Sequence, residues 1–233
     1  MSEKESLNRA RARDAFAQRV GHVFTDRSLL AQALTHRSAG ANHNERLEFL
    51  GDGILNFVIA AALFERKSEA PEGDLSRLRA SLVCERTLAE IADELELADL
   101  LVLGPGETRA GSRRRASIKS DAVEAVLGAI YCDSGFEQTR DVILSLYQKR
   151  LSHLPSADSL KDAKTQLQEW LQARGCARPV YELVQETGAA HERHFVTRCR
   201  LPDTNETADG EGSGRRKAEQ TAARRMLELL KNR

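Results

Sequence analysis

Asn44-Glu-Arg-Leu-Glu-Phe-Leu-Gly-Asp-Gly53 decides how the first two thirds of this 233-residue chain are read. Leu47, Leu50, Ile54 and Leu55 recur at helical spacing, which predicts a helix over residues 44–66. At about 100° per residue, Glu45, Glu48 and Asp52 fall at roughly 0°, 300° and 340° around it, forming one acidic ridge beside an apolar surface. A second acidic pair, Asp121 and Glu124, stands i, i+3 among Ala122, Val123, Ala125, Val126 and Leu127. That second helix is expected to be buried.

Outward from these two segments the helical period persists up to about Leu151, with further helices expected near 6–19, 26–34, 74–82, 84–97, 117–134 and 136–151. Turn chemistry places the breaks at Ala39–His43, Ala70–Gly73, Gly104–Ser112 and Asp133–Gly135. The grammar changes after the polar stretch Leu154-Pro-Ser-Ala-Asp-Ser159. A helix near 162–174 is followed by alternating segments at Pro179–Glu186 and Arg193–Leu201, each read as a half-buried strand. The Gly-rich run Asp209–Gly214 ends a third short strand and leads into a last helix near 214–231. The expected architecture is an all-helical domain over residues 1–153, a linker over 154–160, and a small α+β module of order α-β-β-β-α over 161–233. No internal repeat is visible.

Composition excludes several classes. Apolar types make up 41% and charged types 30%, which suits globular domains and not a disordered or collagen-like chain. The longest apolar stretch, Ile54–Phe64, is short of the ~20 residues of a membrane span, so no membrane crossing is expected. The charged N-terminus lacks the apolar segment of an export signal, which points to a cytoplasmic protein. Cys84, Cys132, Cys176 and Cys199 have no metal-ligand or disulfide-framework spacing and are expected to be small core residues. The 35 basic and 35 acidic side chains cancel, but Arg215–Arg233 holds seven basic groups against Glu219 and Glu228, and Arg113–Arg115 forms a second basic cluster. Such local clusters decide whether a polyanion docks.

Two carboxylates ~4 Å apart repel by about 4 kcal/mol at an effective dielectric near 20, so acids in an apolar helix need protonation, an arginine or a divalent cation. Oxygen ligands without His or Cys suit Mg²⁺ or Mn²⁺, and protein-held Mg²⁺ recruits substrate phosphate. A solvated acidic face is the competing reading for Glu45–Asp52; it fits the apolar neighbours of Asp121 and Glu124 poorly. Spacing by itself does not bring the two helices together.

The segment Asn44–Asp52 resembles the signature of the ribonuclease III family, the endonucleases specific for double-stranded RNA. The similarity continues through Leu34-Thr-His-Arg-Ser38, Glu72-Gly-Asp-Leu-Ser-Arg-Leu-Arg79 and Ser120-Asp-Ala-Val-Glu-Ala-Val-Leu-Gly128. The C-terminal module resembles the double-stranded-RNA-binding domain. Metal and catalytic roles are thereby implied for Glu48, Asp52, Asp121 and Glu124, with Asp52 and Glu124 central to catalysis, and supporting acidic roles for Glu45 and Glu72. Two Mg²⁺ ions per site, with Mn²⁺ as substitute, would clamp attacking and leaving oxygens at ~3.5–4 Å separation. The resemblance further implies 5′-phosphate and 3′-hydroxyl ends, processing of rRNA and mRNA precursors, and a homodimer formed through the N-terminal domain. A mechanism on His36 and His43 would instead give a 2′,3′-cyclic phosphate; both are read as polar residues closing a loop. One departure is Gly53, where the signature ends in Ser.

The C-terminal module lacks the interleaved aromatic and basic residues of a single-strand stacking platform. Arg215, Arg216 and Lys217 stand at the start of the last helix, where open N–H groups and the helix dipole favour phosphate. By resemblance, Thr165, Gln168 and Glu169 on the first helix, and His191 at the tip of the first strand loop, touch minor grooves across ~16 base pairs. Ala189 replaces the usual Pro of that loop. Trp170 reads as core, and Arg113–Arg115 as either a guide for the duplex or a flexible basic loop. The alternative functions are a binder of duplex RNA that does not cut, and a metal-dependent phosphohydrolase of small substrates. The intact acids disfavour the former and the basic module disfavours the latter.

Overall fold

Helix follows helix from Glu3 to Ser152. In the computed structural model, which describes residues 3–188 and 193–232, the chain divides into one unit at Met1–Pro155 and another at Ser156–Arg233. The first holds α1 (Glu3–Val20), α2 (Arg27–Ala33), α3 (Glu45–Arg66), α4 (Glu72–Leu82), α5 (Glu85–Glu94), α6 (Pro105–Arg109), α7 (Ala116–Leu146) and α8 (Gln148–Ser152). The expectation of an all-helical domain holds. The starts follow local chemistry: Asp26 caps α2 by accepting the Ser28 N–H at 2.8 Å, and Pro105 opens α6 where its missing N–H costs nothing.

Differences from the expected elements have local causes. The helix expected to reach residue 97 stops at Glu94, because Glu96 takes a left-handed conformation (φ 54°) that ends the helical path. The break expected at Asp133–Gly135 is a kink inside α7, where Gly135 adopts φ 77° and the helix then resumes. The 104–112 stretch, read as loop, contains α6. Of the four cysteines only Cys199 is buried; Cys84 at the N-cap of α5, Cys132 within α7 and Cys176 in the loop after α9 are exposed, which corrects the reading of all four as core.

Helix α3 packs along α7 more extensively than any other helix pair in the unit. Leu47, Leu55, Val58, Ile59, Ala62 and Leu63 of α3, and Ile118, Ala122, Val123, Ala125, Val126, Leu127 and Ile130 of α7, are buried. By length and composition α3 is apolar enough to cross a membrane, although its contiguous apolar run is short. Its acidic first turns and its packing along α7 make it instead the central helix of this unit.

The second unit has α9 (Ala163–Gln172), β1 (Val180–Thr187), β2 (His194–Arg200), β3 (Thr207–Gly212) and α10 (Arg215–Lys231). The strands form an antiparallel sheet in the order β1-β2-β3, with Cys199 opposite both Tyr181 and Ala208. Thr197, Cys199 and Leu201 are buried as the alternation along β2 predicts, and Cys199 and Leu201 pack with Leu167, Leu171, Ala222, Ala223, Met226 and Leu227. In β1 the alternation breaks at a bulge between Leu183 and Gln185, which leaves Leu183 and Val184 partly exposed. The α-β-β-β-α order is the expected one. Gly210 and Gly212 do more than end a strand: a Cβ on either would meet the α10 backbone, at 2.1 Å from Ala222 N and 2.7 Å from Ala218 N.

Candidate active site and RNA-binding surface

Helices can approach this closely only where side chains are missing. At the α3–α7 crossing, Gly51 lies against the backbone of Glu124 and Gly128 against that of Leu47. The approach aims Glu48 of α3 at Asp121 and Glu124 of α7, and carboxylate oxygens of these three half-buried residues lie within 4.8 Å of one another. Asp52, one turn further along α3, is exposed and outside this three-residue group; its Oδ1 accepts a hydrogen bond from Asn56 Nδ2 at 2.7 Å. Its charge still reaches both Glu48 and Glu124.

The electrostatics express the crowding. Burial, then the charges of Asp52, Glu48 and Asp121, push the Glu124 carboxyl from its ordinary 4.5 up to about 8. Glu48 is raised by burial and by Asp121, Glu45 and Asp52, against the opposing charge of Arg37. Asp121 is also raised, mainly by burial; a hydrogen bond from Ser120 and the nearby His36 and Arg37 only partly offset this, and Glu85 adds to it. A set of oxygen donors that resists ionising without a cation is the donor chemistry of a hard divalent ion.

The supporting acids lie elsewhere. Glu45 is exposed and takes the Arg37 guanidinium at 3.3 Å, with His43 Nδ1 at 3.7 Å. Glu72 opens α4, accepts from Ser76 Oγ at 2.6 Å, and borders an apolar groove with Phe57 and Phe64; it does not join the three-acid group. Sequence reasoning did not single out Asn56 as the partner of Asp52, nor Arg37 and Glu85 as charges acting on the acids. For Asn56 the i, i+4 spacing was the available signal.

In the second unit, Arg215, Arg216 and Lys217 are exposed at the start of α10, where Gly214 is the N-cap and no side chain caps the free N–H groups. Arg215 is tied to Glu219 at 3.2 Å and Lys217 donates to Ser213 Oγ at 3.2 Å, while Arg216 borders a groove with Gln220 and Arg224. Thr165 belongs to the N-cap of α9, its N–H and hydroxyl both donating to Asp162 at 3.0 Å. Gln168 is half-buried, and the exposed Glu169 accepts from Lys161 at 2.6 Å. Trp170 packs partly buried against the core, as expected, with Arg174 stacked over its ring. His191 and Ala189 lie outside the described residues.

Residues 26–151 match the ribonuclease-III-like family model, and residues 163–230 match the double-stranded RNA binding motif. Ribonuclease 3 of Xylella fastidiosa strain M23 is 52% identical over 215 residues, covering 92% of this chain and 95% of that one. This chain belongs to the ribonuclease III family. Ribonuclease 3 of Alkalilimnicola ehrlichii is similarly related, at 53% identity over 94% of this chain and 96% of that one. A crystal structure of the nuclease domain of ribonuclease III from Campylobacter jejuni superimposes with a TM-score of 0.58 at 41% identity, covering 60% of this chain and 97% of that domain. As a ribonuclease III, the protein is an endoribonuclease of double-stranded RNA from a metal-dependent nuclease family, and its acidic cluster has the donor chemistry that dependence requires.

Proposed function

We propose that the enzyme cuts both strands of duplex RNA at Glu48, Asp52, Asp121 and Glu124 with Mg²⁺ as the working ion and Mn²⁺ as a substitute. The observation that carries this reading is the convergence of Glu48, Asp121 and Glu124 oxygens within 4.8 Å. Mg²⁺ bound there would neutralise charge on the phosphate and make water a competent nucleophile. The chain's own part is to hold the acids in one place: the Gly51–Gly128 crossing fixes their spacing, and the Asn56 bond orients Asp52. Glu124, protonated at neutral pH in the metal-free form, must release its proton to serve as a ligand. The products are 5′-phosphate and 3′-hydroxyl ends, and the substrates are structured rRNA and mRNA precursors in the cytoplasm.

Phe49, Phe57 and Phe64 of α3 are 83%, 60% and 72% exposed and fall within roughly 80° of one another around the helix. A stripe of three phenylalanines in water calls for a partner surface. A second copy of the chain docking there would pair two cutting centres, one for each RNA strand. A solved structure of the Campylobacter jejuni domain concerns a region involved in its dimer formation. In the second unit, the basic start of α10 at Arg215, Arg216 and Lys217 meets the RNA backbone, with Arg216 and Lys217 making the phosphate contacts and Arg215 kept on Glu219, while Thr165, Gln168, Glu169 and His191 contact the grooves. Domain roles divide as 1–153 for catalysis and dimerisation, 154–160 as linker and 161–233 for RNA binding.

The test is a gel of end-labelled duplex and single-stranded RNA incubated with the protein, with and without Mg²⁺. Cleavage confined to duplex with Mg²⁺ is expected. Duplex shifted but uncut at millimolar Mg²⁺ would leave only a binder.

A further inference from the structure

The short 3₁₀ turn at Arg37–Ala39 brings a cation to the edge of the acidic cluster. The turn is firmly mounted. Thr35 bridges Val102, the His36 N–H donates to Val102 O at 3.0 Å, and the Val102 N–H donates to Leu34 O at 2.9 Å. His36 Nδ1 accepts the Ser38 N–H at 3.2 Å, and Ser38 Oγ accepts the Gly104 N–H at 2.9 Å. A Cβ on Gly104 would meet Ser38 O at 2.1 Å, so the segment leading into α6 closes directly on the turn.

From this mount Arg37 extends a guanidinium that is 70% exposed, and among the described residues its polar partner is Glu45 Oε1 at 3.3 Å. An exposed pair of that length contributes at most ~1 kcal/mol, so Glu45 holds the guanidinium loosely. Most of its N–H donors stay open. Its charge is felt at Glu48, Asp121 and Glu107, favouring the ionised acid at each. RNA approaching this cleft brings a phosphate ester towards several carboxylates, and a guanidinium fork matches two phosphate oxygens.

We propose that Arg37 leaves Glu45 when RNA arrives and grips a backbone phosphate beside the scissile one, fixing which phosphodiester bond lies over Glu48, Asp121 and Glu124. The proposal rests on cleavage at those acids. Arg37 is then a residue that sets substrate position and cutting register, and Glu45 is its resting partner.

Full-length protein carrying Arg37→Ala, Arg37→Lys or Glu45→Gln is to be compared on a short labelled RNA duplex. Steady-state cleavage is measured with Mg²⁺, and equilibrium binding is measured against KCl concentration in the Glu124→Gln background. Loss of one charge-assisted contact predicts a KM raised about tenfold in Arg37→Ala, with a smaller change in kcat. The salt slope of binding should fall by ~0.9, the value for one phosphate contact. Arg37→Lys should recover the slope while spreading cleavage over neighbouring bonds, because a point charge lacks the fork. Glu45→Gln breaks the same ion pair yet should keep or steepen the slope. If Arg37→Ala and Glu45→Gln weaken binding alike, the ion pair is only structural and the proposal is overturned; an unchanged slope in Arg37→Ala overturns it too. Wild-type protein that binds with an Arg37-dependent slope but cuts nothing would defeat the nuclease site and leave the phosphate grip standing.

Discussion

Gly51 of α3 and Gly128 of α7 face each other across the helix crossing that brings the Glu48, Asp121 and Glu124 carboxylates together. A Cβ on Gly51 would lie 1.8 Å from Glu124 O and 2.9 Å from Gly128 N, and one on Gly128 would lie 2.1 Å from Leu47 O. These obstacles are backbone atoms of neighbouring helices, so they have no rotamer by which to give way. Gly51→Ala or Gly128→Ala should push the helices apart, separating Glu48 from Glu124, and cost at least the ~1–3 kcal/mol typical of an overpacked core. Urea unfolding should show a lower midpoint, and cleavage should fall further than stability does. By contrast a Cβ on Gly53 meets nothing within 4 Å. Gly53→Ala should be tolerated and gain up to about 1 kcal/mol of helix propensity.

Glu124→Gln should abolish cleavage while duplex binding persists, since the amide keeps the shape and loses the charge. The same substitution makes a separate prediction for the metal-free protein. Because the folded-state Glu124 carboxyl lies near 8 against an ordinary 4.5, its protonated form is the stabilising one. In EDTA, stability should therefore be highest below about pH 4.5 as far as this group is concerned, and should decline as pH rises towards 8. Glu124→Gln should flatten that part of the profile and raise the melting temperature at pH 8. An identical pH profile for the variant and the parent would refute the assignment.

Asp133 makes the opposite prediction. Its side chain is 2% exposed, sits 2.8 Å from His22 Nε2, and accepts the N–H groups of Asp26 at 2.8 Å and Thr25 at 3.1 Å. Burial alone would raise its pKa, but the Asp26 and Thr25 N–H groups and His22 outweigh it, holding the carboxyl below the ordinary 3.8. The stability this contributes is present above pH 3.8 and is lost as pH falls through the lowered folded-state value. Asp133→Asn turns an NH₂ towards one of those donors and should cost about 1–3 kcal/mol at neutral pH. The variant should also lose part of the acid-induced fall in melting temperature.

Asp133 shows where the sequence was silent. In the chain it reads as one more turn-former before Gly135, and nothing local tells that its partners are 107 to 111 residues away. The acids of the site were legible by type because their helical spacing and apolar neighbours conflict with a solvated face. Their meeting was not legible, since it depends on which faces of α3 and α7 touch, and that is decided by two small residues and a whole interface of packing. In the second unit, alternation in β2 survived into the structure because one of its faces is covered by helices. In β1 a bulge shifted the register, and period-2 reasoning has no way to foresee an inserted residue.

The exposed phenylalanines give a prediction about assembly. Phe57 and Phe64 line an apolar groove with Ala60, Ala61, Leu63 and Leu75, and Phe49 protrues further along the same face. Burying such side chains stabilises by about 1.5–3 kcal/mol each. Phe64→Glu or Phe49→Glu places a charge where the partner subunit would desolvate it. Sedimentation should then report a monomer in place of a dimer, with melting of the single subunit little changed. Dimeric Phe49→Glu and Phe64→Glu proteins would move the interface elsewhere.

The basic start of α10 makes the last prediction, and the structure refines its size. Arg215, Arg216 and Lys217 are all exposed, but Arg215 is already paired with Glu219, which Lys164 also holds at 2.8 Å. Arg216 and Lys217 are therefore the cations freer to meet phosphate. Changing all three to Ala should flatten the salt dependence of duplex binding by about two contacts, near 1.8 in the slope at ~0.9 each, where three independent contacts would give about 2.7. Arg215→Ala by itself should change the slope little. It should instead leave Glu219 with Lys164 as its remaining partner, a change readable as a small shift in the melting temperature of the second unit. A full three-contact loss would mean that Arg215 abandons Glu219 for RNA.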